Sequence, residues 1–163
     1  VETGNYDVTI MGGSGKRRMA HDLVQYIDSS IFVVNQYNPN QDYRLLLAVD
    51  DSPGTRRAVK YGIRVAQAFN IGVDILTISK TNNFGDGYQA AAERAAKFMR
   101  RSGIEAKNVF KTGDPSQIIV DVAGNNHIIV MGSSRRNPIK KFFQGSKPLT
   151  VMENCKCPIL IVK

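Results

Sequence analysis

The stretch Arg44-Leu45-Leu46-Leu47-Ala48-Val49-Asp50-Asp51-Ser52-Pro53-Gly54 decides how this chain folds. A short apolar run, bounded at once by turn residues, reads as a strand buried on both faces. Ser52 is the expected helix N-cap and Pro53 the first helical residue, where its missing N–H costs nothing. Val59, Gly62, Ile63, Ala66 and Phe69 then recur at three- and four-residue spacing, an apolar stripe suited to lie on a sheet. That helix is expected to end near Asn70 to Gly72.

Downstream the alternation continues. Val73 to Ser79 is a second strand, the Ala-rich stretch from Tyr88 to Arg101 a helix with Ala91, Ala95 and Phe98 on one face, and Gly103 its stop. Glu105 to Lys111 is a third strand, and Asp114 in Gly113-Asp114-Pro115 caps a helix from Pro115 to Ala123 that Gly124 closes. His127 to Met131 is a fourth strand ending in Gly132-Ser133-Ser134. Gly145-Ser146 opens a last helix towards Cys155, and Pro158 to Val162 is the fifth strand. Strands alternating with helices over residues 43–163 predict a doubly wound α/β domain, a parallel sheet with helices on both faces.

Upstream, residues 1–37 repeat the end of that pattern: a strand from Tyr6 to Met11, the turn Gly12-Gly13-Ser14-Gly15, a helix with Met19, Leu23 and Ile27, and a strand from Ile31 to Asn35. This piece reads as the strand-helix-strand tail of a second copy, joined by a polar linker at residues 38–42. Composition marks the same seam. Residues 1–42 hold Lys16, Arg17 and Arg18 against five acidic residues, so the whole basic excess of the chain, 22 Lys and Arg against 14 Asp and Glu, lies beyond residue 42. With 163 residues and 42% hydrophobic content the chain suits one well-buried domain plus an appendage. No apolar run reaches the ~18 residues of a membrane span and no signal peptide is visible, so the expected location is cytoplasmic. Cys155 and Cys157 stand too close to staple a fold and are expected as reduced thiols.

In an open α/β sheet ligands sit beyond the carboxyl ends of the strands, where strand order reverses. Asp50, Ser79 and Gly132 end strands at that edge. The turns at Gly132 to Ser134 and Gly145-Ser146, each leading towards a helix, can hold phosphate on free backbone N–H groups. The same residues are also explained as tight turns and helix caps.

Several of these segments resemble the universal stress protein family: Ala48-Val49-Asp50-Asp51-Ser52, Gly113-Asp114-Pro115, Val130-Met131-Gly132-Ser133, Gly145-Ser146 and Cys157-Pro158-Ile159-Leu160-Ile161-Val162, in the family's order across residues 43–163. The resemblance implies a five-stranded parallel sheet in the order 3-2-1-4-5, extended here by the strands of the partial copy. It also implies a site for ATP or AMP at a G-x2-G-x9-G-Ser loop, with Asp50, Ile78, Met131, Gly132, Arg135, Gly145, Ser146 and Lys147 as the residues that would line it. Two positions depart from that loop: Arg135 stands at the second glycine, and Pro148 replaces a small hydroxyl residue. Arg135 would either obstruct the phosphates or pair with them.

Other chemistries are set aside on the residues. A P-loop would need Gly at position 10 and Ser or Thr at 17, where the chain has Ile10 and Arg17. His21 and His127 with the two cysteines make no spaced metal set, and no nucleophile has a base beside it, so no metal and no enzymatic activity are expected. The basic run from Arg135 to Lys147 with Phe142 and Phe143 could track nucleic acid, but a loop flanking a phosphate site is basic anyway, so nucleic acid is not expected as a partner. The expected function is a non-catalytic regulatory or assembly module. The alternative is the cytoplasmic tail of a membrane transporter of the amino-acid permease or cation-chloride cotransporter type. The strands Ile31 to Asn35 and Pro158 to Val162, both uncharged and β-rich, are expected to pair with each other, within one chain or between two, and the chain to form a homodimer.

Overall fold

The computed structural model describes residues 7–12, 27–133 and 147–163. In chain order the elements are β1 (Val8–Gly12), β2 (Ser30–Val34), β3 (Arg44–Ala48), α1 (Pro53–Phe69), β4 (Val73–Ser79), α2 (Asp86–Arg101), β5 (Ala106–Thr112), α3 (Pro115–Ala123), β6 (His127–Gly132), α4 (Lys147–Asn154) and β7 (Ile159–Val162). The ends of the expected strands and helices shift by a residue or two. The expected helix with Met19 and Leu23 falls outside the described residues.

The seven strands of the described residues join one sheet in the order β1-β2-β7-β6-β3-β4-β5. The five strands from β3 onward are mutually parallel and stand third-second-first-fourth-fifth, as the resemblance implies. β2 adds antiparallel to β7, with Ile31 opposite Ile161 and Val33 opposite Ile159, and β1 adds parallel to β2. The pairing expected of the two β-rich strands is therefore made inside one chain. Antiparallel docking delivers the end of β2 to the amino edge of the domain, where β3 begins. The connection has to cross only three inter-strand steps, about 14 Å, well within the reach of the residues between β2 and β3, up to roughly 30 Å extended. Tyr37 stacks on Tyr43 in this connection, ring centroids 5.2 Å apart, and Asn35 Nδ2 donates to the carbonyls of Cys155 and Cys157 ahead of β7.

Because successive strand residues face opposite ways, the sheet sorts its core into two layers. Leu45, Leu47, Val73, Ile75, Val130, Leu160 and Val162 face α1 and α2; Leu46, Leu76, Ile129, Ile159, Ile161, Ile31 and Val33 face α3 and α4. Two expected stripes need correction. On α1 the expected Val59, Gly62 and Ala66 are buried, joined by Gly54, Thr55 and Ala58, while Phe69 is 40% exposed and packs edge-on against Tyr37. Phe98 is 53% exposed, and α2 lies down on Ala91, Ala92, Ala95, Ala96 and Met99. Alanine lets α2 approach closely, and a bulky ring would hold it off the sheet.

The start of α1 and the end of β6 meet backbone to backbone. A Cβ at Gly132 would stand 2.5 Å from the Gly54 carbonyl oxygen, and one at Gly54 would stand 3.0 Å from the carbonyl oxygen of Ser133. Backbone meets backbone here, so no side chain can yield. Gly132→Ala is expected to destabilise the chain by about 1–3 kcal/mol in urea unfolding. Gly12→Ala, with nothing within 4 Å of its added carbon, should change stability by less than about 0.5 kcal/mol.

Candidate functional site

The chain reverses strand order between β3 and β6: β3 leads through α1 to β4 on one side, and β6 leads through α4 to β7 on the other. The carboxyl ends of these two strands are where this fold type opens a crevice. Asp50, just past β3, is exposed. Its Oδ1 accepts from Ser52 N at 3.0 Å, from Ser52 Oγ at 2.5 Å and from Thr55 Oγ1 at 2.6 Å, while Asp50 N donates to Thr55 Oγ1 at 3.0 Å. One carboxylate oxygen therefore closes the β3–α1 turn. Ser52 is the N-cap, as expected, but its hydroxyl is spent on Asp50 and makes no side-chain cap bond. Ser79, the last residue of β4, organises the loop that follows by donating to the Asn83 carbonyl.

Ile78 and Met131 are brought together with Ala48 in the apolar layer beneath α3 and α4, at the carboxyl ends of β4, β6 and β3. Gly132 points to the opposite layer, where its missing Cβ admits Gly54. Its glycine identity thus has a packing cause independent of any phosphate. Arg135, Gly145 and Ser146 lie outside the described residues, and Lys147 is the first residue of α4.

Three residues at this end escaped the sequence reading. Gly54 makes the close approach, buried Thr55 ties α1 to Asp50, and Arg57 Nη2 donates to the Ser133 carbonyl at 3.1 Å, joining α1 to the end of β6. The legible signal was the order Asp50-x-Ser52-Pro53-Gly54-Thr55, a strand end followed by three side chains able to bond one another across a turn. Ser133 is fastened from the other side, its N and Oγ both donating to the Val162 carbonyl at 2.7 and 3.0 Å.

The described residues contain no group of three or more His, Cys, Asp or Glu side chains able to hold a metal ion. Cys155 and Cys157 are free and buried. The neighbouring Cys155 and burial push the Cys157 thiol far above its ordinary range, so it is not poised as a thiolate.

The charged groups collect at the opposite, amino end of the sheet. Arg44, Asp74, Lys107 and His127 open or nearly open β3, β4, β5 and β6. Arg44 Nε and Nη2 meet Asp74 Oδ1 at 2.8 and 2.7 Å, Arg44 Nη1 meets Glu105 at 2.8 Å, and Lys107 Nζ stands 3.6 Å from Asp74. His127 bridges the Ala123 carbonyl through Nδ1 at 3.0 Å and Asp74 Oδ2 through Nε2 at 3.1 Å. Burial opposes the charge on Asp74, but the hydrogen bonds from Arg44 and His127 outweigh it and hold the carboxyl below its usual range. Hydrogen bonding to Arg44 lowers Glu105 likewise. This cluster ties four strands together and shares no residue with the carboxyl-end crevice.

Residues 43–163 match the model of the universal stress protein family. A universal stress protein of Methanocaldococcus jannaschii is 24% identical over 159 residues, covering 86% of this chain and 92% of its own. Among solved structures, a universal stress protein from Archaeoglobus fulgidus superposes with a TM-score of 0.73 at 18% identity. That match covers 98% of this chain, including the first two strands, and this chain spans only 61% of that protein. A universal stress protein solved in complex with cAMP superposes with a TM-score of 0.63 at 23% identity, covering 75% of this chain and 98% of its own. The transporter-tail alternative draws no support from these relatives. Among the described residues no helix is long and apolar enough to cross a membrane.

The amino-end cluster yields a pH dependence. A carboxyl whose folded-state pKa is depressed contributes stability above its unfolded pKa, and that contribution fades as pH falls through the folded value. Stability is therefore expected to drop below about pH 4. Asp74→Asn should flatten this acid slope and lower stability at pH 7 by about 1–3 kcal/mol, measured by urea unfolding across the pH series.

Proposed function

The chain belongs to the universal stress protein family, and from that premise we propose that it is a non-catalytic regulatory domain that binds an adenine nucleotide, AMP or ATP, across the carboxyl ends of β3 and β6. The observation that carries this reading is the assembly at the strand-order reversal. The apolar side chains of Ile78 and Met131 stand on the α3/α4 side of the sheet end, and Asp50 follows the strand between them. In this reading Ile78 and Met131 form the wall against the base. Asp50 uses Oδ2 for the ribose hydroxyls, since the bonds of the turn fall on Oδ1. The Ser133 N–H, expected to be free for a phosphate, is held by the Val162 carbonyl, so in this reading the phosphates lie by Gly132 and on the backbone N–H groups of Gly145 and Ser146, and Arg135 and Lys147 add charge. A fold-mate solved with cAMP supports the choice of an adenine nucleotide.

The same reading assigns residues 1–37 to the tail of a preceding, degenerate copy, and 38–42 to a linker. This tail takes the edge of β7 through β2. It places the chain in the cytoplasm and gives it a second copy as partner. With β7 covered internally, a homodimer would use the outer edge of β1, which pairs with no strand among the described residues.

Calorimetric titration of the chain with AMP, ATP and cAMP is the test. One site per chain is expected for at least one of them. Arg135→Gly, which restores the loop's glycine spacing, should bind several-fold tighter. Weaker binding by that variant would make Arg135 a phosphate ligand, and no heat from any nucleotide with either protein would reject the reading.

A further inference from the structure

The two helical layers differ sharply in charge. α1 carries Arg56, Arg57, Lys60 and Arg64 and no acidic residue, and α2 carries Arg94, Lys97, Arg100 and Arg101 against Asp86 and Glu93. On the other face α3 carries Asp121 alone, and α4 one residue of each sign, Lys147 and Glu153. Among the described helices the basic excess therefore lies on one side of the sheet.

Some of these cations are already engaged. Arg57 reaches the Ser133 carbonyl, Arg100 the Ala106 carbonyl, and the Arg64 guanidinium lies 5.7 Å from the centre of the Tyr61 ring. Glu93 is turned to β5, where it accepts from Asn108 Nδ2 at 2.8 Å, and Asp86 sits in the first turn of α2. Among the described residues, Arg56, Lys60, Arg94, Lys97 and Arg101 have no carboxylate partner. The inner faces of both helices are spent on the sheet, so at 100° per residue these five point outward. α1 and α2 lie side by side, joined by Gln67 Nε2 donating to the Ser102 carbonyl at 3.3 Å, and a shallow groove on α2 is lined by Glu93, Arg94, Lys97, Arg100 and Arg101.

Such an arrangement works against the helices themselves. Like charges at i,i+4, as in Arg56-Lys60-Arg64 and Lys97-Arg101, repel, and cations in the first turn of α1 oppose the helix dipole. Among the described residues no ion pair offsets that cost, which argues for an anion from outside. The two helices are about 25 Å long, enough for a row of phosphates. The cations are mostly arginine, which binds phosphate bidentately. Phe98, flanked on α2 by Arg94 and Arg101, is 53% exposed and presents a ring on which a base can stack. A membrane surface fits less well, because an interfacial helix must bury a whole apolar face in lipid, and here those faces are used on the sheet. We propose that the α1/α2 face binds single-stranded nucleic acid, its phosphates on Arg56, Lys60, Arg94, Lys97 and Arg101 and a base on Phe98. These residues are distinct from the run at 135–147 that was set aside from sequence, and from the nucleotide crevice.

The test is fluorescence anisotropy of the full chain with labelled oligo(U) and oligo(dT) of about 15 nucleotides, longer than a typical single-strand site, from about 50 to 200 mM salt. Arg94→Gln, Lys97→Gln and Arg101→Gln combined should weaken binding at least about tenfold and flatten the salt dependence. The same replacements at Lys80, Lys111 and Lys156, off this face, remove equal charge and should cost less than about threefold, since counterion release depends on local phosphate contacts. Phe98→Ala should lose about fivefold or more at fixed salt without altering the salt slope. Circular dichroism confirms that each variant is folded. Equal losses in the two triple variants, no binding at the lowest salt, or face-dependent binding to phosphatidylserine vesicles but not to either oligonucleotide would overturn the proposal. Since Arg94, Lys97, Phe98 and Arg101 lie in the second half of α2, away from the crevice, AMP binding measured in the variants of these residues separates failure here from failure of the nucleotide reading.

Discussion

The contact between the Gly54 and Gly132 backbones fixes how far the start of α1 stands from the end of β6. The rest of the carboxyl end is built around that separation. Arg57 can reach the Ser133 carbonyl only because the two backbones meet, and Ser133 in turn is held by the Val162 carbonyl, so α1, β6 and β7 share one fixed corner. Asp50 and Thr55 then close the remaining side by bonding to each other across the turn. A binding crevice benefits from such a frame, because geometry held by backbone does not need to be reorganised when a ligand arrives.

The two ends of the sheet do different work. At the amino end Arg44, Asp74, Lys107 and His127 cross-link neighbouring strands through paired charges, and both carboxylates of the cluster are held ionised by their partners. At the carboxyl end β4, β5 and β6 finish in Ser79, Thr112 and Gly132, small or polar residues. The β1–β2 pair attaches along a side edge, through β2 on β7. Its inward residues Ile31 and Val33 complete the layer that Ile159 and Ile161 begin, which makes the first strands part of the same core.

Much of this was legible in the sequence because each strand is short, apolar and bounded by turn residues. The run Leu45-Leu46-Leu47 is buried on both faces, and Asp114 caps its helix by accepting from Gln117 N, as their spacing implies. The mistakes came where tertiary packing overrides local pattern. Phe69 and Phe98 fit a helical stripe by position, yet small residues won the inner faces because α1 and α2 pack close to the sheet and to each other, Gly62 meeting the end of Met99. Gly132 was read for its place in a phosphate loop, while its contact with Gly54 lies 78 residues away in sequence, beyond any local signal. Likewise Asp74 looked like an ordinary strand residue until the sheet placed it beside Arg44 and His127. The polar linker's length left intrachain pairing open, and the antiparallel direction of β2 resolved it.

The central claim is that a nucleotide occupies the corner built on Gly54 and Gly132. Amide hydrogen exchange with and without saturating AMP tests it most directly, because it reports position as well as binding. The account predicts slower exchange in the segments 49–57 and 130–133, with no change at 72–75 or 125–127 at the amino end. Protection absent from the first two segments, or confined to the amino end or to α2, would contradict it.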